Sequence, residues 1–221
     1  MKKIFIVRHG ESEANANERG LLSEEGKYVI DSKFKLTDKG RHQAREAGEK
    51  ILKAMPSEKY SIYISPYERT RQTARMIHGV LLNNGKKVNK HVEDPRLVEQ
   101  DFGDFDFQFQ PNWKDIDPHS YRVNQAKYND MPGRFFARIP TGENLLDVYN
   151  RMSLFVTTRL ERDNTDTIII VTHGYAERVL LMYLLDLTIE QMYEIKLQKN
   201  ASVIQVWWND ATEQYANMGN L

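Results

Sequence analysis

The residues of this chain best suited to chemistry stand in two short segments, Arg8-His9-Gly10-Glu11 and His173-Gly174. Each follows an apolar run directly: Ile4-Phe5-Ile6-Val7 before the first, Ile168-Ile169-Ile170-Val171-Thr172 before the second. A β-branched run of this length reads as a buried strand, and the C-terminal edge of an open α/β sheet is where ligands bind. Two imidazoles, each at a strand end and each followed by glycine, point to one shared site. An imidazole is mostly free base near pH 7 and can attack phosphorus. Arginine grips phosphate oxygens through its planar fork. With Arg8 beside His9, the expected ligand is an anion, and the expected anion is a phosphoryl group.

Composition narrows the chemistry further. Lys plus Arg and Asp plus Glu both number 31 in 221 residues, so no bulk charge points to nucleic acid or an acidic membrane. No apolar stretch approaches a membrane span, and the chain enters its first strand without room for a signal peptide. Membrane insertion is therefore not expected, and the expected setting is cytoplasmic. The absence of cysteine removes disulfides, thiolate zinc sites and any cysteine-based phosphatase mechanism. No P-loop, HExxH or EF-hand pattern occurs, so neither metal nor cofactor is expected. The implied partner is a small phosphorylated substrate; the oligomeric state stays open.

The elements that must hold the two histidines follow a βα rhythm. Residues 3–7 read as a strand and 38–54 as a helix with Thr37 as N-cap, its stripe being Ala44, Ala47, Ile51 and Leu52. Ile62-Tyr63-Ile64 is a short buried strand, and Pro66 suits the start of a helix running to about Leu82, ended by Asn83-Asn84-Gly85. A strand is expected around Lys90–Val92. A helix is expected over 144–162, with Leu145, Val148, Met152 and Phe155 facing inward. Strand 167–171, helix 175–186 and strand 202–208 complete the set, after which the tail reads as frayed. Residues 101–142 break the rhythm with nine aromatic residues and four prolines, and read as a segment inserted over the sheet edge. The whole, 1–221, is expected to be one domain of α/β class. It would form a three-layer α/β/α sandwich with a mostly parallel central sheet and the insert as a cap.

For the proton donor that phosphoryl transfer needs, Glu99, Asp101 and Asp104 are near equals on spacing alone. Arg69 shares its helix with Arg71 and Arg75, any of which reads as a solvated face. His42, His78, His91 and His119 carry no partner signal and read as surface or core-edge residues. Arg178 reads as the partner of an acid, and the aromatic insert as packing. Arg122, Lys127, Arg134 and Arg138 offer a possible grip on a second anionic group.

The sequence resembles the histidine phosphatase superfamily, which includes cofactor-dependent phosphoglycerate mutases and many phosphatases. Arg8-His9-Gly10-Glu11-Ser12 with Asn15 is similar to its opening motif, and Leu36-Thr37 with Gly40, Gln43 and Ala44 to its first-helix signature. Ser65 to Ala74 resembles its second arginine block, and Leu97 to Gly103 its acid-bearing segment. Gly142-Glu143 with Arg151 precedes Val171-Thr172-His173-Gly174, the closing motif. The stretches Glu99–Gly103 and Gly133–Phe136 look closest to a group called phosphoglycerate mutase-like.

The resemblance implies that His9 is the nucleophile, that Arg8, Arg69 and His173 form a positive cradle, and that Asn15 and the Gly174 amide are further substrate donors. It implies Glu99 as the acid and base. The resulting expectation is a metal-independent phosphomonoester hydrolase acting through phosphohistidine. A 2,3-bisphosphoglycerate-dependent mutase is the second reading. Against it, Glu13-Ala14 replace the residues mutases carry before Asn15, and Leu21-Leu22-Ser23 open a charged insert where their substrate-holding segment stands. Gln100 replaces an arginine and Tyr175 an asparagine. A third reading, a non-catalytic phosphate-binding protein, predicts a broken constellation, and all five core residues are present.

Overall fold

The computed structural model describes residues 2–16, 31–103 and 133–221. Asp104, the aromatic insert through Pro132, His119, Arg122, Lys127, the Arg134 side chain and the Leu21-Leu22-Ser23 segment lie outside the described residues.

Chain order runs β1 (Lys3–Arg8), α1 (Glu13–Ala16), α2 (Asp38–Ala54), β2 (Lys59–Ile64), α3 (Glu68–Asn83), β3 (Lys87–Glu93), α4 (Gly133–Phe136), α5 (Leu145–Phe155), β4 (Thr167–Thr172), α6 (Gly174–Leu184), α7 (Ile189–Glu194), β5 (Val203–Asn209) and β6 (Gln214–Asn220). The six strands form one sheet in the order β3-β2-β4-β1-β5-β6. Pairing is parallel from β3 through β1 and antiparallel at β5 and β6.

The strands are apolar on both faces because both faces are covered. Ile4, Ile6, Ile168 and Ile170 pack against Leu145, Val148 and Met152 of α5 and Val179 and Leu180 of α6. Their neighbours Phe5, Val7, Ile169 and Val171 turn the other way, onto Ala47 and Ile51 of α2 and Ala74, Ile77 and Leu81 of α3. Each large side chain so buried contributes about 1.5–3 kcal/mol. The chain is thus an α/β/α sandwich with a mostly parallel sheet.

β1 and β4 are neighbours in register, Arg8 opposite Thr172. β1 leads toward α2 on one face while β4 leads into α6 on the other. That divergence opens a crevice at their C-terminal ends, where an α/β sheet receives its ligand.

Local signals are borne out in detail at α2. Thr37 caps it by accepting from the Gly40 amide, and Leu52 is half-buried at the edge of the stripe. β1 and α2 also meet backbone to backbone: a Cβ on Gly10 would stand 2.4 Å from the Gly40 carbonyl oxygen. α3 starts two residues after Pro66, at Glu68.

Two expectations are corrected. The helix expected over 144–162 is α-helical only to Phe155; Val156–Leu160 winds as a π-helix. There the Thr157 and Thr158 hydroxyls donate to the carbonyls of Ser153 and Leu154 at 3.0 and 2.5 Å, competing with the helical ladder. The tail does not fray. It turns at Glu213, whose φ is 51°, and returns as β6 with Tyr215 packed edge-on against Trp208, centroids 4.8 Å apart. Among the described residues no helix is long and apolar enough to cross a membrane.

Candidate active site

His9 leaves the end of β1, where its amide donates to the Thr172 carbonyl of β4 at 3.0 Å. The residue is 4% exposed. Nδ1 lies 2.8 Å from the Gly10 carbonyl oxygen, which can only accept, so Nδ1 carries the proton. The lone pair of the neutral ring therefore sits on Nε2. Burial, then the charges of Arg69 and Arg8, hold its pKa well below 6.5. The Gly10 amide donates to Thr73 Oγ1 at 3.0 Å, and that hydroxyl donates to the Arg69 carbonyl at 2.8 Å. The strand that carries His9 is thereby tied to α3.

His173 caps β4 and precedes α6. Its ring centroid is 5.3 Å from that of His9, with planes at 62°. Nε2 lies 2.7 Å from Ser65 Oγ, while Nδ1 is buried without a hydrogen-bond partner. Burial, followed by Arg69, His9, Arg151 and Arg8, holds this imidazole well below 6.5 too. Tyr67 packs edge-on against it at 4.9 Å and underlies the Arg69 guanidinium at 4.8 Å. The Tyr67 phenol is pushed up to about 12, chiefly by burial.

Two guanidiniums bear on this pair. Arg8 donates through Nη1 to the Gln198 carbonyl and keeps a buried Nε without a hydrogen-bond partner. Arg69 is gripped by Asp31: Nη1 donates to the Asp31 carbonyl (2.7 Å) and Oδ1 (3.0 Å), Nη2 to Oδ2 (2.9 Å). Arg71 turns instead to the sheet edge and pairs with Glu93 of β3 at 2.6 Å.

Glu99 faces the start of α6. Its Oε1 accepts from the amides of Gln100, Tyr175 and Ala176 at 3.0, 3.1 and 3.0 Å; among the described residues Oε2 takes only a 3.3 Å contact from Tyr175. Arg151 clamps the backbone that carries it, donating to the carbonyls of Arg96, Val98 and Glu99 while holding Glu143 through a double ion pair. Thr172 Oγ1 donates to the Leu97 carbonyl from the other side. Asn15 Oδ1 accepts from the Ser12 amide and hydroxyl and from Asn200 Nδ2, which leaves the Asn15 amide nitrogen as a donor. Gly174 lies close to Arg8, whose Cζ would be 3.7 Å from a Cβ there.

The arrangement combines a neutral nucleophilic nitrogen, two fixed cations, unpartnered buried donors and a carboxylate. That set suits transfer of a dianionic group. The family model of the histidine phosphatase superfamily (branch 1) matches residues 4–220. This chain belongs to that superfamily. A phosphoglycerate mutase-like protein of Arabidopsis thaliana, AT74, is 31% identical over 91% of this chain, and a second, AT74H, is 33% identical over 81%. The chain spans only 63% and 64% of their respective lengths. A broad-range acid phosphatase of Saccharomyces cerevisiae, DET1, is 25% identical over 96% of the chain and 87% of its own length. Among solved structures, a putative alpha-ribazole-5'-P phosphatase of Escherichia coli superposes with a TM-score of 0.73 at 21% identity, covering 99% of this chain and 95% of that one.

Within this histidine phosphatase fold, His9, Arg8, Arg69, His173, Glu99, Asn15 and Gly174 all stand around the β1–β4 crevice. Asp101 is exposed beyond it; its amide donates to Glu143 Oε2 and its carbonyl accepts from the Glu143 amide. Arg138 pairs with Asp147 on the surface. His42 is paired with Glu46, whereas His78 has a partner that spacing did not announce, the Tyr60 hydroxyl at 2.7 Å. Arg178 lies over the Tyr175 ring. No spacing in the sequence points to Asp31, to Asn200, to Ser65 as the His173 partner or to the clamp role of Arg151. Nor does any mark out Glu177, 2% exposed with Oε2 unpartnered among the described residues, whose carboxyl burial pushes up to about 8.

Proposed function

We propose that this chain is a phosphomonoester hydrolase that works without a metal through a phosphohistidine on His9. The observation that carries the reading is the His9 tautomer: Nδ1–H is spent on the Gly10 carbonyl, so Nε2 keeps the lone pair, with the charges of Arg69 and Arg8 acting on the ring and the His173 ring centroid 5.3 Å away. In the first step Nε2 attacks phosphorus and the ester P–O bond breaks. The Glu99 carboxyl gives its proton to the departing alcohol oxygen. In the second step Glu99 takes a proton from water as the water oxygen attacks phosphorus, the P–N bond breaks, and phosphate leaves. Oε2 is the Glu99 oxygen for this traffic, because Oε1 is committed to three amides. Arg8, Arg69 and the His173 Nδ1–H donate to the equatorial oxygens, where charge spreads in the transition state. The Asn15 amide and the Gly174 N–H add donors.

The same reading fits the yeast relative, named as a broad-range acid phosphatase. Phosphoglycerate mutase activity is disfavoured on two positions. A mutase must hold a bisphosphate while it reorients, which takes cations around the second anionic group. Here the Gln100 amide is spent on the Glu143 carbonyl at 2.8 Å, and Tyr175 packs against Phe102.

The test is rapid quenching with labelled phosphomonoester in the presence of EDTA. An acid-labile, base-stable label should appear on wild-type protein and vanish in His9→Ala. Label on another residue, or turnover abolished by EDTA, refutes the mechanism. A coupled enolase assay with 3-phosphoglycerate and 2,3-bisphosphoglycerate should show interconversion well below the rate of phosphate release. The opposite ratio refutes the hydrolase reading.

A further inference from the structure

We propose that Asp31 is a positioning residue for phosphoryl transfer: it determines which edge of the Arg69 guanidinium meets the phosphoryl group. The inference rests on the hydrolase reading above and adds a residue to it from the far side of the arginine.

A guanidinium offers five N–H donors along two forks, one between Nη1 and Nη2 and one between Nε and Nη2. Asp31 fills the first. Oδ1 and Oδ2 accept from Nη1 and Nη2 at 3.0 and 2.9 Å, and the Asp31 backbone carbonyl takes Nη1 again at 2.7 Å. Three contacts from one residue, two through the side chain and one through the main chain, define a plane for the guanidinium as well as a distance. The Tyr67 ring, 4.8 Å from Cζ, supports that plane from one side. The second fork, Nε with the remaining Nη2 hydrogen, makes no hydrogen bond among the described residues. That fork is the one left for an anion.

Burial makes the grip matter. Arg69 is 5% exposed, and its charge outweighs every other charge acting on both His9 and His173. A buried cation without a counter-charge is costly, so an unrestrained Arg69 would seek another acceptor or open the site to water. Asp31 supplies the counter-charge on the fork away from chemistry. The alternative is that the carboxylate occupies the phosphoryl position and competes with substrate. Against this, Tyr67 is in ring contact with both Arg69 and His173, while among the described residues Asp31 makes no hydrogen bond or ion pair to either imidazole.

The experiment combines a double-mutant cycle with orthovanadate titration by calorimetry. Asp31→Ala should lower kcat about 10–10²-fold, as misplacement of a catalytic group does, with a smaller change in KM. Asp31→Asn, which keeps one acceptor oxygen, should recover part of the loss. Asp31→Ala/Arg69→Ala should be no slower than Arg69→Ala alone, because Asp31 acts only through Arg69. Orthovanadate should bind Asp31→Ala about tenfold more weakly than wild type. Thermal melts of Asp31→Asn guard against misfolding. A rise in kcat/KM on removing Asp31, an additive loss in the double variant, or unchanged vanadate affinity overturns the proposal. Wild-type protein that binds vanadate without releasing phosphate from any ester would count against the hydrolase reading, and the vanadate arm would still decide the role of Asp31.

Discussion

The Glu99 carboxylate caps the helix that follows His173: its Oε1 accepts from the Ala176 amide at 3.0 Å. Glu99 and the second imidazole are therefore held by one helix start. Oε1 is spent on capping, and Oε2 is the oxygen left to carry a proton. Proton donation matters most when the leaving alkoxide is poor. Glu99→Gln should cut hydrolysis of alkyl phosphates strongly and spare p-nitrophenyl phosphate. Comparing kcat for both substrates is the check; equal losses would mean that Glu99 only caps.

Arg69 and Arg71 stand two residues apart on α3 and so point to opposite faces of it. On the proposed mechanism Arg69→Ala removes a donor to the transition state and should lower kcat on the order of 10²-fold or more. Arg71 is paired with Glu93, both partly exposed, so Arg71→Ala should leave turnover within a few-fold and cost under about 1 kcal/mol of stability. Steady-state kinetics and urea melts on the two variants decide this. Equal kinetic losses would place the wrong face of α3 toward the site.

The two imidazoles should resist protonation. Burial first, then Arg69, favours the neutral ring of each, so both lie below the ordinary 6.5. The proposed nucleophile, which must be neutral, gains from this: activity should persist as pH falls through 6.5 and fail only below it. In NMR titrations the ring resonances of His9 and His173 should stay flat as pH falls through 6.5. A midpoint for His9 near 6.5 would contradict the burial argument.

Legibility in the sequence tracked the range of each interaction. Thr37 and Gly40 are three residues apart, so the cap of α2 shows as a local pattern. The runs before His9 and His173 announce strands because both faces of the sheet are covered there. Asp31 meets Arg69 across 38 residues, and neither has a spacing that points to the other. Arg151 acts on backbone carbonyls, which every residue has, so its targets leave no mark in the sequence. β6 carries no strand signal because Gln214–Asn220 has neither an apolar run nor strict alternation; an edge strand of this kind is defined by pairing with β5 and by one aromatic contact. Roles within the crevice came from the family resemblance, since spacing alone left Glu99, Asp101 and Asp104 equal.

Glu177 supplies a test of stability. Its carboxyl is pushed up to about 8 by burial; Arg8 opposes this, Glu99 adds to it, and Arg178 opposes it more weakly. In the unfolded chain the group titrates near the ordinary glutamate value of about 4.3. Between those values the native protein holds a proton that the unfolded chain has released. Stability therefore falls as pH rises through this window, and the loss is complete above about pH 8. Below about pH 4 both states are protonated and the effect vanishes. Glu177→Gln keeps the shape and removes the ionisation. The variant should gain on wild type steadily from pH 5 to pH 8.5 in denaturant midpoints, at up to about 1.4 kcal/mol per pH unit inside the window. Wild-type turnover should also fall near pH 8, since an ionised Glu177 offsets the charge of Arg8, and Glu177→Gln should hold its rate there. A stability difference that does not change with pH would mean that Glu177 is ionised in the native protein and paired in a way its unpartnered Oε2 does not reveal.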